Sequence, residues 1–377
     1  MPIAQSKDEL RAWLSLLRAP ALGAPTVREL IRRHGKASDA VSAAARSHDI
    51  AGDARNWLGS PDSGLLGNDL DWLDCPQHHL LTFVDSDYPS LLTEIGNPPA
   101  ALFVDGEPAC LWSAQIAIVG SRNATAGGIA NARAFARTFS VAGNVVTSGL
   151  AEGIDGAAHA GALDAGGKTI AVLGTGPDLV YPRQHRELAE RIAQNGALVS
   201  EFPPGTPGRP KHFPSRNRII AGLSLGTLVV EAGLKSGSLI TARAAAETGR
   251  EVFALPGSIH NPLARGCHRL IRNGAKLVET AEEVIEELTG ISALLADGLR
   301  ARLACMAPAQ RSSKGTNHHE GDPEYVQLLQ ALGEDPCALD ELAERTGLPA
   351  AALSSMLLVL ELDGKVSARH GRYARID

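Results

Sequence analysis

The chain has 377 residues and a formal net charge of −6, with 44% hydrophobic and 21% charged residues. This length is too great for one ordinary hydrophobic core and predicts two or three domains. No apolar run approaches the ~18 residues that a membrane span requires, so the composition indicates a globular protein that does not cross a membrane.

The amino terminus and the cysteines indicate a cytoplasmic protein. The first ten residues contain acids where a signal peptide would have an apolar stretch. The five cysteines are scattered at positions 75, 110, 267, 305 and 337, and none forms a Cys-x-x-Cys pair. We therefore expect reduced thiols, with no disulfide framework, no metal and no cofactor.

The first 75 residues are predicted to form a helical domain, because apolar residues recur at helical spacing from Leu10 onward. One of its helices is expected to be capped at Thr26 and to end at Gly35. Two functions remain open for this domain: a helix-hairpin-helix that contacts a nucleic-acid backbone, or a packing domain with a solvated basic face, which we favour. The basic residues in question are Arg28, Arg32 and Arg33.

Residues 76–290 are predicted to form an extended Rossmann-like domain. Residues 80–104 predict two short strands and an extended connector. Apolar strands then alternate with helical stretches, which predicts an α/β fold with a doubly wound parallel sheet. The strands are expected at Ile116–Val119, Asn144–Thr147, Thr169–Leu173, Ala197–Ser200, Thr227–Val230, Glu251–Leu255 and Lys276–Val278.

A flexible linker over 291–322 and a winged-helix domain over 323–377 are predicted to complete the chain. Helices are expected at Glu324–Leu332, Leu339–Thr346 and Ala350–Leu362, followed by a hairpin around Gly371. This tail has five basic residues against nine acids, a net of −4. Such a charge suits a regulatory or partner-binding module better than a DNA reader.

The first strand of the sheet is predicted to lead into an anion site. It runs into Gly120-Ser121-Arg122 and then a helix, so backbone amides and the helix dipole are expected to face an anion, while Arg122 binds a phosphate. A dinucleotide site would have glycine in place of Arg122 and an acid in place of Thr147-Ser148, so NAD is disfavoured. The alternative for this motif alone is an ordinary turn with a surface arginine.

The loop Gly205–Arg218 carries four cations, an aromatic ring and no acid. Its cations are Arg209, Lys211, Arg216 and Arg218, with Phe213 among them. Cations beside a flat ring are typical of sites that hold the phosphate and the base of a single-stranded nucleic acid. We expect Arg218, which runs into the helix behind the loop, to be structural.

Three other polar motifs follow predicted strands. Asp155 and His159 lie one helical turn apart and could form a metal half-site or an acid and base pair, but we favour a structural role because no further His or Cys is near. Glu231 could be a hydrolytic carboxylate, although the sequence supplies no partner for it. The segment Ser236-Gly-Ser238 begins a helix and could bind an anion as Ser121 does.

Taken together, a series of motifs over about residues 80–280 resembles the DNA-processing protein A (DprA/Smf) family. The motifs are Gly120-Ser-Arg, Ser148-Gly-Leu-Ala-Glu-Gly-Ile-Asp-x-x-Ala-His159, Tyr181-Pro182, Ser200-Glu-Phe-Pro, Phe213-Pro-Ser-Arg-Asn-Arg, Ser236-Gly-Ser-Leu-Ile-Thr-Ala-Arg243 and Arg250-Glu-Val-Phe-Ala-Leu-Pro-Gly257. The helical front, which would be SAM-like or helix-hairpin-helix-like, and the winged-helix tail are similar to that family's flanking domains.

The resemblance implies a protein that is not an enzyme. Such a protein binds single-stranded DNA, forms homodimers and recruits RecA to incoming strands during natural transformation. Carried over to this chain, its DNA pocket would comprise Gly120, Ser121 and Arg122 at the phosphate, Lys211, Phe213, Arg216 and Asn217 from the cationic loop, and Ser148 and Gly149 on the floor.

Two other functions were weighed against this one. Rossmann-like nucleotide phosphoribohydrolases share such a crevice, but they carry a Pro-Gly-Gly-x-Gly-Thr turn where this chain has Leu223-Ser-Leu-Gly-Thr227, without the glycine pair. A transcription regulator that acts through the tail is disfavoured by the tail's negative charge.

Overall fold

The computed structural model describes residues 6–290, 323–332, 337–348, 353, 356–357, 360, 366–369 and 372–375. The chain divides near residue 300 into two compact units. The predicted linker over 291–322 lies outside the described residues. No helix among the described residues combines the length and the apolar character needed to cross a membrane.

The front of the chain is helical, as predicted. Its helices are α1 Lys7–Arg18, α2 Ala24–His34, α3 Ala37–Ala44, α4 Gly52–Gly59 and α5 Ser63–Leu73. The expected cap at Thr26 is wrong: α2 begins after Gly23 and takes Pro25 into its first turn, where proline's missing N–H costs nothing. The predicted end at Gly35 is confirmed, since Gly35 has a φ of 79° that favours glycine.

A nine-stranded sheet follows. Its strands are β1 His78–Thr82, β2 Ala101–Gly106, β3 Gln115–Val119, β4 Val145–Ser148, β5 Thr169–Val172, β6 Gly196–Ser200, β7 Gly226–Val229, β8 Glu251–Ala254 and β9 Lys276–Leu277. Their order is β1-β2-β6-β5-β4-β3-β7-β8-β9. The strands from β3 to β9 pair in parallel, while β1 and β2 form an antiparallel edge. The doubly wound sheet is thus confirmed, and the antiparallel edge adds to it.

Helices cover both faces of the sheet. They are α6 Ser90–Thr93, α7 Ala126–Val141, α8 Ile154–Asp164, α9 Arg186–Gln194, α10 His212–Leu223, α11 Ser238–Glu247, α12 Arg265–Arg272 and α13 over 281–290, with 3-10 turns at Pro108–Trp112 and Arg183–His185. Alternation along β3 divides the core: Ile116 and Ile118 pack with α7, while Ala117 and Val119 pack in the cluster that includes α10 and α11. Both faces of the central strands are therefore buried, as their continuous apolar runs predict.

The front helices pack on the antiparallel edge of the sheet. Leu14 and Leu66 share a buried cluster with Phe103 of β2. Arg28, one of the cations considered for nucleic-acid contact, is buried and donates a hydrogen bond to the carbonyl of Pro98. Arg28 therefore supports packing, which favours the packing role over the nucleic-acid role for this residue.

The second unit has the elements of a winged helix. Its helices are α14 Pro323–Leu332 and α15 Leu339–Thr346, and its strands are β10 Cys337–Ala338, β11 Val366–Arg369 and β12 Arg372–Arg375 in the order β10-β12-β11. Residues 353, 356, 357 and 360 are also helical, and Leu353, Leu357 and Leu360 are buried in the core of this unit. The predicted tip of the hairpin at Gly371 lies outside the described residues, but β11 and β12 on its two sides pair as expected.

Candidate functional site

A crevice of about 680 Å³ lies at the carboxyl ends of β3 and β7. This is the point where the strand order reverses, since the chain winds from β3 towards β6 and then resumes on the other side of β3. Ligands of open α/β sheets bind at such a switch point. Three segments supply most of the lining, namely residues 119–123, 210–217 and 233–238.

The loop after β3 holds Arg122 at the mouth of this crevice. A Cβ on Gly120 would lie 2.5 Å from Cγ1 of Ile154, so only glycine fits there. The Ser121 amide donates to the carbonyl of Glu231 at 2.7 Å, and the Ser121 carbonyl accepts from the Ile154 amide at 3.2 Å. Arg122 is exposed and makes no ion pair with any described residue. The loop is thus fixed, while its guanidinium group is left available.

A carboxylate of the protein itself lies at the start of α7. The Glu231 carboxylate accepts from the Thr125 amide at 2.9 Å and from the Thr125 hydroxyl at 2.7 Å. An internal anion therefore already balances the dipole of this helix. Thr125 caps α7 by accepting from the Gly128 amide at 3.0 Å, and Glu231, which is 8% exposed, holds Thr125 in place. The prediction that the amides of this turn face a bound anion stays a prediction.

Phe213 and Arg122, which belong to separate sequence motifs, lie next to each other at one wall of the crevice. The guanidinium carbon of Arg122 lies 5.7 Å from the centre of the Phe213 ring. The same ring lies 5.3 Å from that of Tyr181. Phe213 is seated on Gly174, where a Cβ would come within 2.9 Å of the ring. The structure thus places a cation and two rings together at one wall.

The cations of the loop Gly205–Arg218 divide into two groups. Lys211 is exposed and, within the described ranges, has no carboxylate partner. Arg218 donates to Glu201 at 2.6 Å, and both side chains are largely buried. The structural role expected of Arg218 is confirmed. Lys211 is exposed next to Pro210, which lines the crevice, but is not itself a lining residue.

Arg216 forms the floor of the crevice instead of its rim. Its side chain is buried, with the residue 4% exposed, and it donates a hydrogen bond to the carbonyl of Val172. A Cβ on Gly149 would lie 2.1 Å from the Arg216 Nη1 atom, so the guanidinium group rests against that glycine. Burial lowers the pKa of Arg216 to about 10, although the charge of Asp155 opposes this shift. Arg216 stays protonated at neutral pH beneath the crevice.

Asp155 and His159 serve the fold, as favoured from the sequence. The Asp155 carboxylate accepts from the amides of Gly149 and Ala151 at 3.2 and 3.4 Å, and burial raises its pKa against the opposing effect of Arg216. His159 is fully buried with Nδ1 at 2.7 Å from the Thr169 hydroxyl, and burial lowers its pKa to about 3. Within the described ranges, no group of three or more His, Cys, Asp or Glu is arranged to hold a metal ion.

The remaining predicted site residues lie at or below the floor. Ser148 is fully buried, and its hydroxyl donates to the carbonyl of Ile118 at 2.5 Å, so it braces β4 against β3. Gly149 lines a small pocket that continues the crevice. Asn217 lines the crevice and donates to the carbonyl of Gly237 at 3.3 Å, which ties α10 to the segment before α11.

Two lining residues were missed by sequence reasoning. Tyr181 is 53% exposed beside Phe213. Lys235 is exposed, lines the crevice and has no acid partner in the part of the chain that the structure describes. The sequence did contain a signal for Lys235: it follows the strand at the switch point and directly precedes Ser236-Gly-Ser238. Tyr181 was visible only as part of the motif Tyr181-Pro182.

Fold and crevice together define a Rossmann-like α/β protein with a cationic crevice at its switch point and an added winged-helix unit. Family models match three parts of the chain in order: a DprA-like N-terminal HHH domain at residues 7–55, DNA recombination-mediator protein A at 79–289, and the DprA winged helix domain at 307–372. The chain belongs to the DNA recombination-mediator protein A family, also named DprA or Smf.

Its relatives include Protein Smf of Escherichia coli K12, which is 44% identical over 324 residues, or 86% of this chain and 84% of that protein. DNA processing protein DprA of Streptococcus pneumoniae R6 is 46% identical over 208 residues, or 55% of this chain and 73% of that protein.

Solved structures that resemble this chain include two of DNA processing protein A. The X-ray structure of DprA from Streptococcus pneumoniae has a TM-score of 0.67 at 36% identity and covers 74% of this chain and 97% of its own. The structure of DNA processing protein A from Helicobacter pylori, described for its single-stranded DNA binding mode, has a TM-score of 0.52 at 28% identity and covers 57% of this chain and 96% of its own.

Proposed function

We propose that this chain binds single-stranded DNA in the crevice at the switch point. The observation that carries the proposal is the grouping of two exposed cations with two adjacent aromatic rings in the lining of the crevice. The cations are Arg122 and Lys235, which have no acid partner among the described residues, and the rings belong to Phe213 and Tyr181. Lys211 is exposed on the same loop as Phe213 and is proposed as a further phosphate contact. Cations hold the phosphates and rings stack on bases, which suits a strand whose bases are unpaired.

The energetics suit a site that does not select sequence. Each phosphate contact releases counterions, so the logarithm of the affinity falls with the logarithm of salt by about 0.7 per phosphate on single strands. Stacking on an aromatic ring contributes roughly 1 to 3 kcal/mol per base and accepts any base. One crevice offers few such contacts, so strong binding needs more than one crevice on a strand.

We further propose that two copies of the chain associate as a homodimer and bind one strand together. Two linked sites raise the avidity without any new contact. The outer strand β9 supports a partner copy, because it ends the sheet and its Leu277 is half exposed. Sedimentation equilibrium over a range of concentrations tests this: twice the monomer mass is expected, and a monomer at every concentration would contradict it.

The cellular role we propose is to protect incoming single strands in the cytoplasm and load RecA recombinase on them during natural transformation. Membership of a family described as a recombination mediator supports this role. A direct test measures the DNA-dependent ATPase activity of RecA on strands coated with a single-strand-binding protein. Addition of this chain should shorten the lag before hydrolysis, and an unchanged lag would count against the loading role.

We propose no catalysed reaction. Glu231, the carboxylate considered for nucleotide hydrolysis, caps α7 through Thr125. Incubation of the chain with nucleoside monophosphates is therefore expected to release no free base. Robust release would replace DNA binding by hydrolysis as the main activity.

The decisive experiment is a gel shift with single- and double-stranded oligonucleotides of the same sequence. Wild type should prefer the single strand, and Arg122→Ala and Lys211→Ala should each weaken that binding by roughly tenfold, because each removes a charge that no acid among the described residues neutralises. Arg137→Ala is the matched control, since Arg137 is an exposed cation on α7 outside the crevice. Equal binding of duplex, or an equal loss in the control, would refute the proposal.

A further inference from the structure

A second cleft lies on the far side of α11 from the crevice. It has a volume of about 430 Å³ and is formed by α11, α12 and the start of β8. Its walls are partly apolar, with Leu239, Val252 and Leu270 among the lining residues. Its polar lining is dominated by arginine, so the cleft combines apolar walls with positive charge.

Two of these arginines have no ion-pair partner among the described residues. Arg243 on α11 and Arg269 on α12 are exposed and form neither an ion pair nor a hydrogen bond with any residue that the structure describes. The third, Arg250, donates to Glu94 at 2.7 Å. The acid of the cleft, Glu251, lies 3.9 Å from the ammonium group of Lys276. The unbalanced charge of the cleft is therefore positive, which fits an anionic occupant.

The cleft and the crevice flank α11 and are both lined by residues of that helix. Ser238, Ile240 and Thr241 line the crevice, whereas Leu239 and Arg243 line the cleft. From Ser238 to Arg243 the helix rises about 8 Å, and with its side chains it is about 10 to 12 Å wide, so a single strand can cross it within a few nucleotides. Ile240 is 44% exposed between the two and offers an apolar surface to a base.

We propose that a DNA strand held in the crevice crosses α11 at Ile240 and continues into this cleft, where Arg243 and Arg269 bind its phosphates. This inference rests on the proposed function and extends it by a second binding segment. Short strands fill the crevice alone. Long strands gain the cleft as well, so the two segments are separable by strand length.

The test compares oligothymidylates of about 6 and about 30 nucleotides by fluorescence anisotropy, with full-length protein. The double variant Arg243→Ala with Arg269→Ala should bind the long strand roughly tenfold more weakly and the short strand within about twofold of wild type. The slope of log affinity against log salt for the long strand should become less steep by about 1.4, which corresponds to two phosphates at 0.7 each. Arg243→Lys with Arg269→Lys should retain most of the affinity.

The matched control is Arg272→Ala with Arg137→Ala, which removes two exposed cations outside the cleft. An equal loss in this control, or a double variant that loses neither strand or loses both alike, would overturn the cleft assignment. Failure of wild type to bind either strand would instead reject the proposed function. Binding of a labelled acidic peptide that the double variant loses, with long-strand affinity unchanged, would assign the cleft to a protein partner and also overturn the proposal.

Discussion

The rim and the floor of the crevice use cationic side chains in opposite ways. At the rim, Arg122 and Lys235 are exposed and have no acid partner among the described residues. At the floor, Arg216 is buried against Gly149, bonded to a backbone carbonyl and influenced by Asp155. The rim cations are therefore free to bind a ligand, while the cation of the floor interacts with groups inside the fold.

This difference separates stability from binding. Removal of an exposed, unpaired cation changes the free energy of unfolding by about 0.5 kcal/mol or less. Removal of a buried hydrogen-bond acceptor costs about 1 to 3 kcal/mol for each buried donor that is left without a partner. Variants of the floor should thus unfold the protein more easily, whereas variants of the rim should leave stability intact and weaken DNA binding.

The largest effect is expected for Asp155→Ala. This change removes the acceptor of the Gly149 and Ala151 amides, so the free energy of unfolding should fall by about 1 to 3 kcal/mol for each buried amide left without a partner. Urea unfolding followed by tryptophan fluorescence measures the loss. Asp155→Asn keeps a carbonyl oxygen as acceptor and should retain most of the stability even if Asp155→Ala fails to fold. Wild-type stability in Asp155→Ala would show that the floor does not depend on these hydrogen bonds.

The second effect is a pH dependence that originates at His159, which is buried within α8. Burial lowers the pKa of His159 to about 3 from an ordinary value of 6.5, so the unfolded chain binds a proton between these values and the folded chain does not. Protonation of His159 in the unfolded chain therefore costs no stability well above pH 6.5, and it lowers the free energy of unfolding as the pH falls below that value. From pH 7 to pH 5 the loss should be about 2 kcal/mol.

The readout is the difference between wild type and His159→Gln in urea unfolding at pH 7, 6 and 5. The other titrating groups, including Asp155 with its raised pKa, are present in both proteins, so their effect cancels in this difference. Parallel stability curves for the two proteins would contradict a neutral, buried His159.

Much of the site could be predicted because its signals are local. The apolar runs of β3 and β7 end in small residues, which located the crevice, and the motifs around Arg122 and Phe213 each indicated an anion partner. What could not be predicted depends on contacts between distant parts of the chain. Arg216 is buried because Gly149 leaves room for it, and Glu231 reaches Thr125 from 106 positions away. No local sequence pattern shows that Arg216 is buried while Lys211 is exposed.

A third prediction concerns the aromatic part of the rim. Tyr181→Ala removes a half-exposed ring next to Phe213, so single-stranded DNA should bind at least about fivefold more weakly, from roughly 1 to 3 kcal/mol of stacking per base. Tyr181→Phe keeps the ring and should bind as wild type does. Anisotropy titrations with oligothymidylate measure both. If Phe at this position binds as poorly as Ala, the phenol hydroxyl and not the ring surface makes the contact.

The smallest effect, and the sharpest test of the rim, is expected for Lys235→Ala. Lys235 lies opposite the loop of Arg122 and has no acid partner in the described part of the chain, so its loss should weaken binding roughly threefold to tenfold and lower the salt slope by about 0.7. The urea midpoint should stay unchanged, since no contact within the fold is lost. A shifted midpoint with an unchanged salt slope would place Lys235 with the floor residues, and the division between rim and floor would then fail at this position.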